Sequence, residues 1–524
     1  MITHDQSEIV SFLASPSTHD GAAVERVETH ASMVFLAGTR AWKLKRAVRY
    51  DYLDFATVER RKAMCEAEVR INRRTAPAIY RGVTAVTRQP DGSLALGGSG
   101  SAVDWLVEMT RFDQETLLDR LAARGALDLA LMRPLATAIA RLHASAERRP
   151  DHGGAAGTSW VIDGNAAGFA EQGADILDQA ACAELTRAAR QALESHRGLL
   201  ESRRDGGFVR QCHGDLHLRN IVLLDGRPTL FDAIEFNDEI ACIDVLYDLA
   251  FLLMDLWRRR LRHHANAVWN AYLSDAGDVG GIPLLPLFLS CRAAVRAKTS
   301  ATAANLQADP RRKGELEEMS RDYLAMAQRL LRPPPACLIA IGGLSGSGKS
   351  TLARALAPLV GAVPGAAVIR SDEIRKQLCG VDPLQRLGAE GYSVDITQRV
   401  YSTIAHRAAQ VVAGGHAAIV DAVHASLADR DAIERVAAAV PVPFVGVWLE
   451  APESVLIARS EQRHLDASDA DAAVIREQIA RDAGAITWRR IDALPALDDV
   501  LRTTVHSLRQ HLQGHVARLE SQPA

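Results

Sequence analysis

Two short segments combine residue types that chemistry requires at fixed spacing. HGDLHLRN at 213–220 lies between two apolar runs and sets Asp215 and Asn220 five positions apart. An acid so placed can orient and deprotonate a hydroxyl, and an amide downstream can bind a metal that bridges phosphates. The second segment is Gly343-Leu344-Ser345-Gly346-Ser347-Gly348-Lys349-Ser350-Thr351, which fits GxxxxGK[ST]. Its glycines let backbone N–H groups wrap a phosphate, and a helix starting near Lys349 adds the positive end of its dipole. Lys349 can reach the β/γ oxygens of a nucleotide, and the Ser350 hydroxyl can ligate Mg²⁺.

Acids follow each segment. IVLLDGRPTLFDAIEF reads as a strand, an Asp225-Gly226 turn, a second strand and then Asp232. Asp215, Asn220 and Asp232 thus form a two-metal constellation, and Glu235 is within reach of the same metal. His213 and His217 are expected to brace the loop by hydrogen bonds rather than to act as bases. Beyond the phosphate loop, AAVIRSDEIRKQL is a strand running into a helix, with Asp372 and Arg375 on one helical face. HAAIVDAV is a further strand ending at Asp421. Such acids bind Mg²⁺ through water or take the proton of an attacking hydroxyl. A fourth strand, VPFVGVWLEAP, leads to Arg459 and Arg463 at i, i+4. Two arginines there could clamp a transferred phosphoryl group as a lid does; an exposed helix face is the alternative.

Positioning these groups takes more than one core, because single cores stop growing at roughly 250–300 residues and the chain has 524. The sharpest break is Arg332-Pro333-Pro334-Pro335, which cannot continue a helix. The expected division is 1–331, a Pro-rich linker at 332–336, and 337–524. Within the first part, residues 24–48 read as two strands joined by Ala37-Gly38-Thr39-Arg40, residues 57–75 as a helix, and SAVDWLVEMTRF as another strand. A small β-rich lobe at about 24–112 is then followed by a helical lobe at about 113–331. Only seven of the 61 basic residues are lysines, and Lys43 and Lys45 fall on one face of a strand. Glu66 and Glu68 lie on the next helix. Spacing alone leaves open which lysine and which glutamate pair to fix phosphates; Lys43 with Glu68 is the expected pair. Backbone groups around Glu108 and Met109 would meet an adenine if their strand connects the lobes.

Composition narrows the function classes. A net charge of −3 gives no long-range basic field for wholesale nucleic-acid binding. WRRRLRHHA at 257–265 reads as a solvated helix face, or as a local attraction for an anionic acceptor such as a phosphorylated sugar or a nucleic-acid end. No apolar run reads as the roughly 20 residues a membrane helix needs. The seven cysteines are scattered without a CxxC pair, and the N-terminus lacks a cationic start before an apolar stretch. A reduced, cytoplasmic protein is expected, with no obligatory protein partner.

The order of these motifs resembles known families. Residues 337–515 resemble P-loop kinases of the polynucleotide-kinase, zeta-toxin and gluconate-kinase type, through GSGKST, Ser371-Asp372-x-x-Arg375, Val420-Asp421 and the arginine lid. That resemblance implies ATP and Mg²⁺ as cofactors, Asp372 as activator of the acceptor hydroxyl, and Arg375 on the acceptor side. Residues 24–300 resemble the aminoglycoside phosphotransferase/choline-kinase branch of the protein-kinase-like fold. Here Asp248, in VLYDLAFLL, would be a structural acid behind the catalytic loop. Two departures stand out: ETHAS (Glu28–Ser32) replaces a glycine-rich loop, and the metal acid sits in FDAIEF rather than DFG. The whole chain resembles bacterial bifunctional aminoglycoside phosphotransferase/ATP-binding fusion proteins. The expected fold class is therefore a bilobal kinase-like α+β domain followed by an α/β P-loop domain with a parallel sheet. An ATP-dependent phosphotransferase acting on a hydroxyl is the expected function. The alternatives are an N-terminal domain that only binds and regulates, and a mechanical or regulatory ATPase.

Overall fold

The computed structural model describes residues 3–50, 52–382, 385–461, 469–481 and 483–512. Arg463 lies outside them. The described chain falls into two compact units, one of residues 3–161 with 197–255 and one of 162–196 with 256–512. The border between units does not coincide with the Pro333–Pro335 run, because 162–196 and 256–331 pack with the residues that follow them.

The first unit starts with α1 (Ser7–Ala14) and a six-stranded antiparallel sheet. Its strands are β1 (Val24–Glu28), β2 (Ser32–Ala37), β3 (Arg40–Lys45), β6 (Tyr80–Arg88), β7 (Leu94–Leu96) and β8 (Ser101–Thr110), in the order β1-β2-β3-β8-β6-β7. A short side ribbon pairs β4 (Arg49–Tyr50) with β5 (Leu53–Asp54). Residues 24–48 thus make three strands rather than the two expected, and ETHAS is the β1–β2 turn, closed by the Thr29 hydroxyl on Ser32. Alternation sorts the sheet into two faces. Phe35, Trp42, Leu44 and Leu106 pack with Ile9 and Leu13 of α1. Leu36, Ala41, Val107 and Met109 face α2 (Val58–Asn72) at Cys65 and Val69. Lys43 and Lys45 share the α2 face with Ala41. The Thr57 side chain caps α2 by accepting from Arg60 N–H.

Helices α3 (Leu118–Ala123) and α4 (Met132–Ser145) follow, and α5 (Gly154–Glu171) runs on into the second unit's residues. Helix α6 (Gln179–Ser195) belongs to the second unit. Helix α7 (Arg197–Asp205), β9 (Val209–Gln211), the β10 (Ile221–Leu224)–β11 (Arg227–Leu230) hairpin, α8 (Asp238–Ala241), β12 (Cys242–Asp244) and most of α9 (Val245–Arg258) complete the first.

The second unit continues with α10 (Arg262–Ala276), α11 (Leu285–Asn305) and α12 (Pro310–Leu330). Contrary to the sequence expectation, Val279–Asn305 is long and apolar enough to span a membrane. Its most apolar stretch is 67% buried and α11 carries a buried Arg292, the character of a core helix. A five-stranded parallel sheet follows, ordered β14-β15-β13-β16-β17. Its strands are β13 (Leu338–Gly343), β14 (Ala367–Arg370), β15 (Ala418–Asp421), β16 (Phe444–Glu450) and β17 (Arg489–Asp492). The helices between and after them are α13 (Lys349–Leu356), α14 (Ser371–Leu378), α15 (Val394–Ala413), α16 (Leu427–Ala439), α17 (Glu453–Glu461), α18 (Ala472–Ala480) and α19 (Leu497–His511). Cys337, Ile339, Ile341, Ile419, Val445 and Val447 form the core, which explains the unbroken apolar runs: these strands are covered on both faces.

Candidate functional site

The phosphate loop leaves the C-terminal end of the central strand β13 and enters α13, the place where parallel α/β sheets bind ligands. Gly346 has φ +89°, and a Cβ on it would lie 2.3 Å from the Leu456 carbonyl oxygen, so only glycine fits. Lys349 Nζ donates to the Leu344 carbonyl at 3.0 Å, folding the lysine across its own loop. Ser347 Oγ is buried without a partner, an orphaned hydroxyl in a loop shaped for an anion.

The acids converge beside it. Arg370, at the end of β14, donates through Nη2 to Ser350 Oγ at 3.1 Å and through Nε to Asp421 Oδ2 at 3.2 Å. A hydroxyl and a carboxylate that meet one cation form a hard-oxygen donor set, which fits Mg²⁺. Asp421 is buried at the end of β15, as the apolar run before it predicts. Asp372 and Arg375 share α14. Arg375 donates to the Gly391 carbonyl at 2.8 Å and to Thr397 Oγ1 at 3.2 Å, and lies over the Tyr392 ring. Burial, then hydrogen bonding to Asp469, pushes the Tyr392 hydroxyl above its ordinary range, and the Asp372 charge adds to this.

Several contacts here were not read from sequence. Gln478 of α18 accepts from Ser345 N–H at 2.9 Å and donates to Ser345 Oγ at 3.1 Å. Asp469 binds Lys376 Nζ at 2.7 Å, Tyr392 Oη at 2.9 Å and Leu387 N–H at 3.0 Å, tying 385–392 to α14. His424, with φ +51°, is wholly buried near Lys349 and Asp421; burial pushes its ring down to about 3. Of the two arginines expected in a clamp, Arg459 donates to the Ala493 carbonyl at 2.9 Å, just beyond the end of β17, and Arg463 lies outside the described residues.

In the first unit, HGDLHLRN connects β9 to β10. Asn220 Nδ2 donates to Asp215 Oδ2 at 2.9 Å, and His217 Nε2 lies 3.2 Å from the same oxygen. His213 Nε2 meets the Phe231 carbonyl at 2.9 Å. Asp248 accepts from His213 N–H at 3.1 Å and Gly214 N–H at 2.9 Å and contacts His143, so it braces the loop from behind. Both histidines brace the loop, His213 through the Phe231 carbonyl and His217 through Asp215. The β10–β11 hairpin brings Asp232 to Asn220: Phe231 N–H bonds the Asn220 carbonyl at 3.0 Å. Asp232 keeps an exposed carboxylate face, and Asn220 turns its amino group to Asp215, so their remaining oxygens fit a hard cation.

Lys43 Nζ meets Glu68 Oε1 at 2.8 Å and Asp232 Oδ1 at 2.6 Å. Lys45 Nζ meets Glu68 Oε2 at 2.7 Å and also Glu235 Oε1. Glu68 therefore serves both lysines, and Glu66 faces Lys62 on the surface. Burial acts to lower Lys43, but Asp232 and Glu68 outweigh it and raise it well above its ordinary value. Two expectations are corrected. Glu235 is buried against Lys45 rather than beside a metal. Glu108 and Met109 lie inside β8, paired with β3 on one side and β6 on the other, so their backbones cannot meet an adenine. The Glu108 carboxylate pairs with Arg40 and Arg81.

Residues 58–281 match the model of the phosphotransferase enzyme family, and 338–483 match that of an AAA domain. Over 493 residues, 91% of this chain and 94% of its relative, the chain is 30% identical to an uncharacterized protein of Mycobacterium tuberculosis. The chain belongs to this family of kinase-like/P-loop kinase fusion proteins. The family's fold is bilobal kinase-like in the first part and a P-loop kinase sheet in the second, and both parts are of phosphotransferase type. An adenylyl-sulfate kinase of Myxococcus xanthus is 34% identical over 118 residues, 22% of this chain and 59% of that protein. A choline/ethanolamine kinase family structure from Mesorhizobium loti matches 62% of this chain and 94% of its own, at 14% identity and a TM-score of 0.39.

Proposed function

We propose that the P-loop part, 337–524, binds Mg·ATP and transfers its γ-phosphate to a hydroxyl acceptor. The observation that carries this is the convergence of Ser350 and Asp421 on one cation at the mouth of the phosphate loop, with Asp372 and Arg375 on the adjoining helix. Residues 343–351 would cradle the phosphates, with Lys349 on the β/γ oxygens. Ser350 and Asp421 would hold Mg²⁺, which supplies charge neutralisation between the phosphates. Asp372 takes the proton as the acceptor oxygen bonds to the γ-phosphorus, and ADP leaves with the electron pair of the broken P–O bond. Arg375 positions the acceptor side. An acceptor that is a small molecule, or a nucleic-acid end, suits this geometry.

In the kinase-like part, 1–331, Asp215 would take the proton of a second hydroxyl, while Lys43 holds phosphates and Asn220 and Asp232 hold a cation. A second reading makes this part a regulatory binding module without chemistry. The glycine-free ETHAS turn favours it, because a Cβ-bearing loop closed by Thr29 approaches a triphosphate less closely. ATP turnover by Lys349→Ala and Asp215→Ala variants of the whole chain separates the readings. Turnover lost in the first alone supports the module; partial loss in each supports two catalytic sites; turnover unchanged in the first overturns the proposal for the P-loop part.

A further inference from the structure

Helix α10 falls inside the match to the phosphotransferase enzyme family, yet it packs in the second unit against β14. β14 is an edge strand, with backbone groups to satisfy on its open side. Three α10 side chains at i, i+4 and i+8 serve that edge and the helix after it. Asn266 Nδ2 donates to the carbonyls of Pro364 and Ala366 at 3.2 and 3.1 Å. Asn270 accepts from Val368 N–H at 2.6 Å and donates to Ala366 at 3.2 Å. Ser274 Oγ donates to Glu373 Oε2 at 2.9 Å, and Gln377 bonds the Ser274 carbonyl at 3.0 Å.

The last contact continues inward. Glu373 Oε1 accepts from Arg370 Nη1 at 3.0 Å, and the same guanidinium bonds Ser350 Oγ and Asp421 Oδ2. An unbroken polar chain therefore runs from α10 to the two oxygens proposed for the metal: Ser274, Glu373, Arg370, then Ser350 and Asp421. Arg370 is 9% exposed, so its charge is poorly screened. Its N–H groups engage lone pairs that a divalent cation would need, and its charge opposes a second cation there.

We propose that Arg370 is a positioning residue that holds Ser350 and Asp421 in the metal's stead, and that Glu373, oriented by Ser274 of α10, draws it aside when Mg²⁺ arrives. This rests on the reading that the P-loop site binds Mg·nucleotide. The helix α10 thereby sets the metal affinity of a site that its own family match does not include.

Signs distinguish this role from simple support. Weakening the pull on Arg370, by Glu373→Gln, which removes the acceptor's charge, or by Ser274→Ala, which removes the hydroxyl that orients it, raises the Mg²⁺ concentration for half-maximal binding. One net hydrogen bond sets a change of about fivefold. Arg370→Gln removes the competing charge and lowers that midpoint, by about tenfold on the scale of one buried charge contact. Ser274→Thr keeps the hydroxyl and restores the wild-type midpoint. The experiment titrates Mg²⁺ into the full chain with a fluorescent ATP analogue as probe, and thermal melting of each variant reports its folding. Opposite shifts in Ser274→Ala and Arg370→Gln, with rescue by Ser274→Thr, support the inference. Shifts of the same sign, or none while wild type binds the probe with Mg²⁺, overturn it alone. Failure of wild type to bind the probe overturns it together with the reading beneath it.

Discussion

Glu68 offers the most quantitative test of the first unit. It is wholly buried between the ammoniums of Lys43 and Lys45, at 2.8 and 2.7 Å. Burial acts to raise its carboxyl, but the two lysines outweigh this and hold it at about 2 against an ordinary 4.5. At about 1.4 kcal/mol per pH unit, that difference amounts to about 3 kcal/mol of stability at neutral pH. The folded value is the lower one, so the stabilisation is complete above about pH 4.5 and is lost as pH falls toward 2. Glu235 has the opposite sign. Burial raises it despite Lys45, so its ionised form opposes folding as pH rises above its ordinary range. The cluster also sets three carboxylates, Asp232, Glu68 and Glu235, against two lysines. Glu68→Gln should therefore cost about 3 kcal/mol at pH 7 and flatten the acid limb of stability, whereas Glu235→Gln should cost less than about 1 kcal/mol. Two compact units do not unfold in one step, so the assay is urea-dependent hydrogen exchange of peptides from β3 and α2. Equal losses in the two variants, or a Glu68→Gln loss under about 0.5 kcal/mol, would refute the electrostatic reasoning.

Other predictions follow from single contacts. Lys349→Ala should weaken binding of a fluorescent ATP analogue about 10- to 100-fold at fixed Mg²⁺, the size of one lost charge-assisted bond, as read by equilibrium titration. Gly346→Ala forces a Cβ to within 2.3 Å of the Leu456 carbonyl at φ +89°; it should cost about 1–3 kcal/mol in thermal melting and lower analogue affinity. Asn270→Ala leaves Val368 N–H without its side-chain partner and the Ala366 carbonyl with Asn266 alone, which should cost about 1–3 kcal/mol and speed exchange of the Val368 amide.

Local sequence carried much of the fold. GSGKST announced its own loop because glycine spacing and the flanking apolar strand and helix are all contiguous. HGDLHLRN and the Asp225-Gly226 turn likewise placed Asp215, Asn220 and Asp232 within one hairpin's reach. Alternation put Lys43 and Lys45 on one face, but only packing of α2 on the sheet shows that Glu68 serves both. What stayed illegible is contact between distant segments. Ser274 meets Glu373 across 99 positions and Ser345 meets Gln478 across 133, and no period or motif records such pairs. Arg370 carries no signal within its strand, because its value comes from the register that sets β14 beside β15 and brings it to Asp421. Glu108 and Met109 failed for a related reason: a strand pattern does not say whether both its edges are paired. Val279–Asn305 reads as broken by its polar residues, yet its length and mean hydropathy pass for a span, and only its burial marks it as core.

The central claim is that phosphate moves from a nucleotide in the P-loop part to a hydroxyl, and one measurement addresses it directly. The full chain is incubated with γ-labelled ATP, Mg²⁺ and a panel of hydroxyl-bearing metabolites and oligonucleotide ends, alongside Lys349→Ala, Asp372→Asn and Asp215→Ala variants. The account predicts label on an organic acceptor with wild type, transfer to that acceptor persisting in Asp215→Ala, and its loss in both Lys349→Ala and Asp372→Asn. Label appearing solely as inorganic phosphate, or transfer that survives Lys349→Ala, would contradict it.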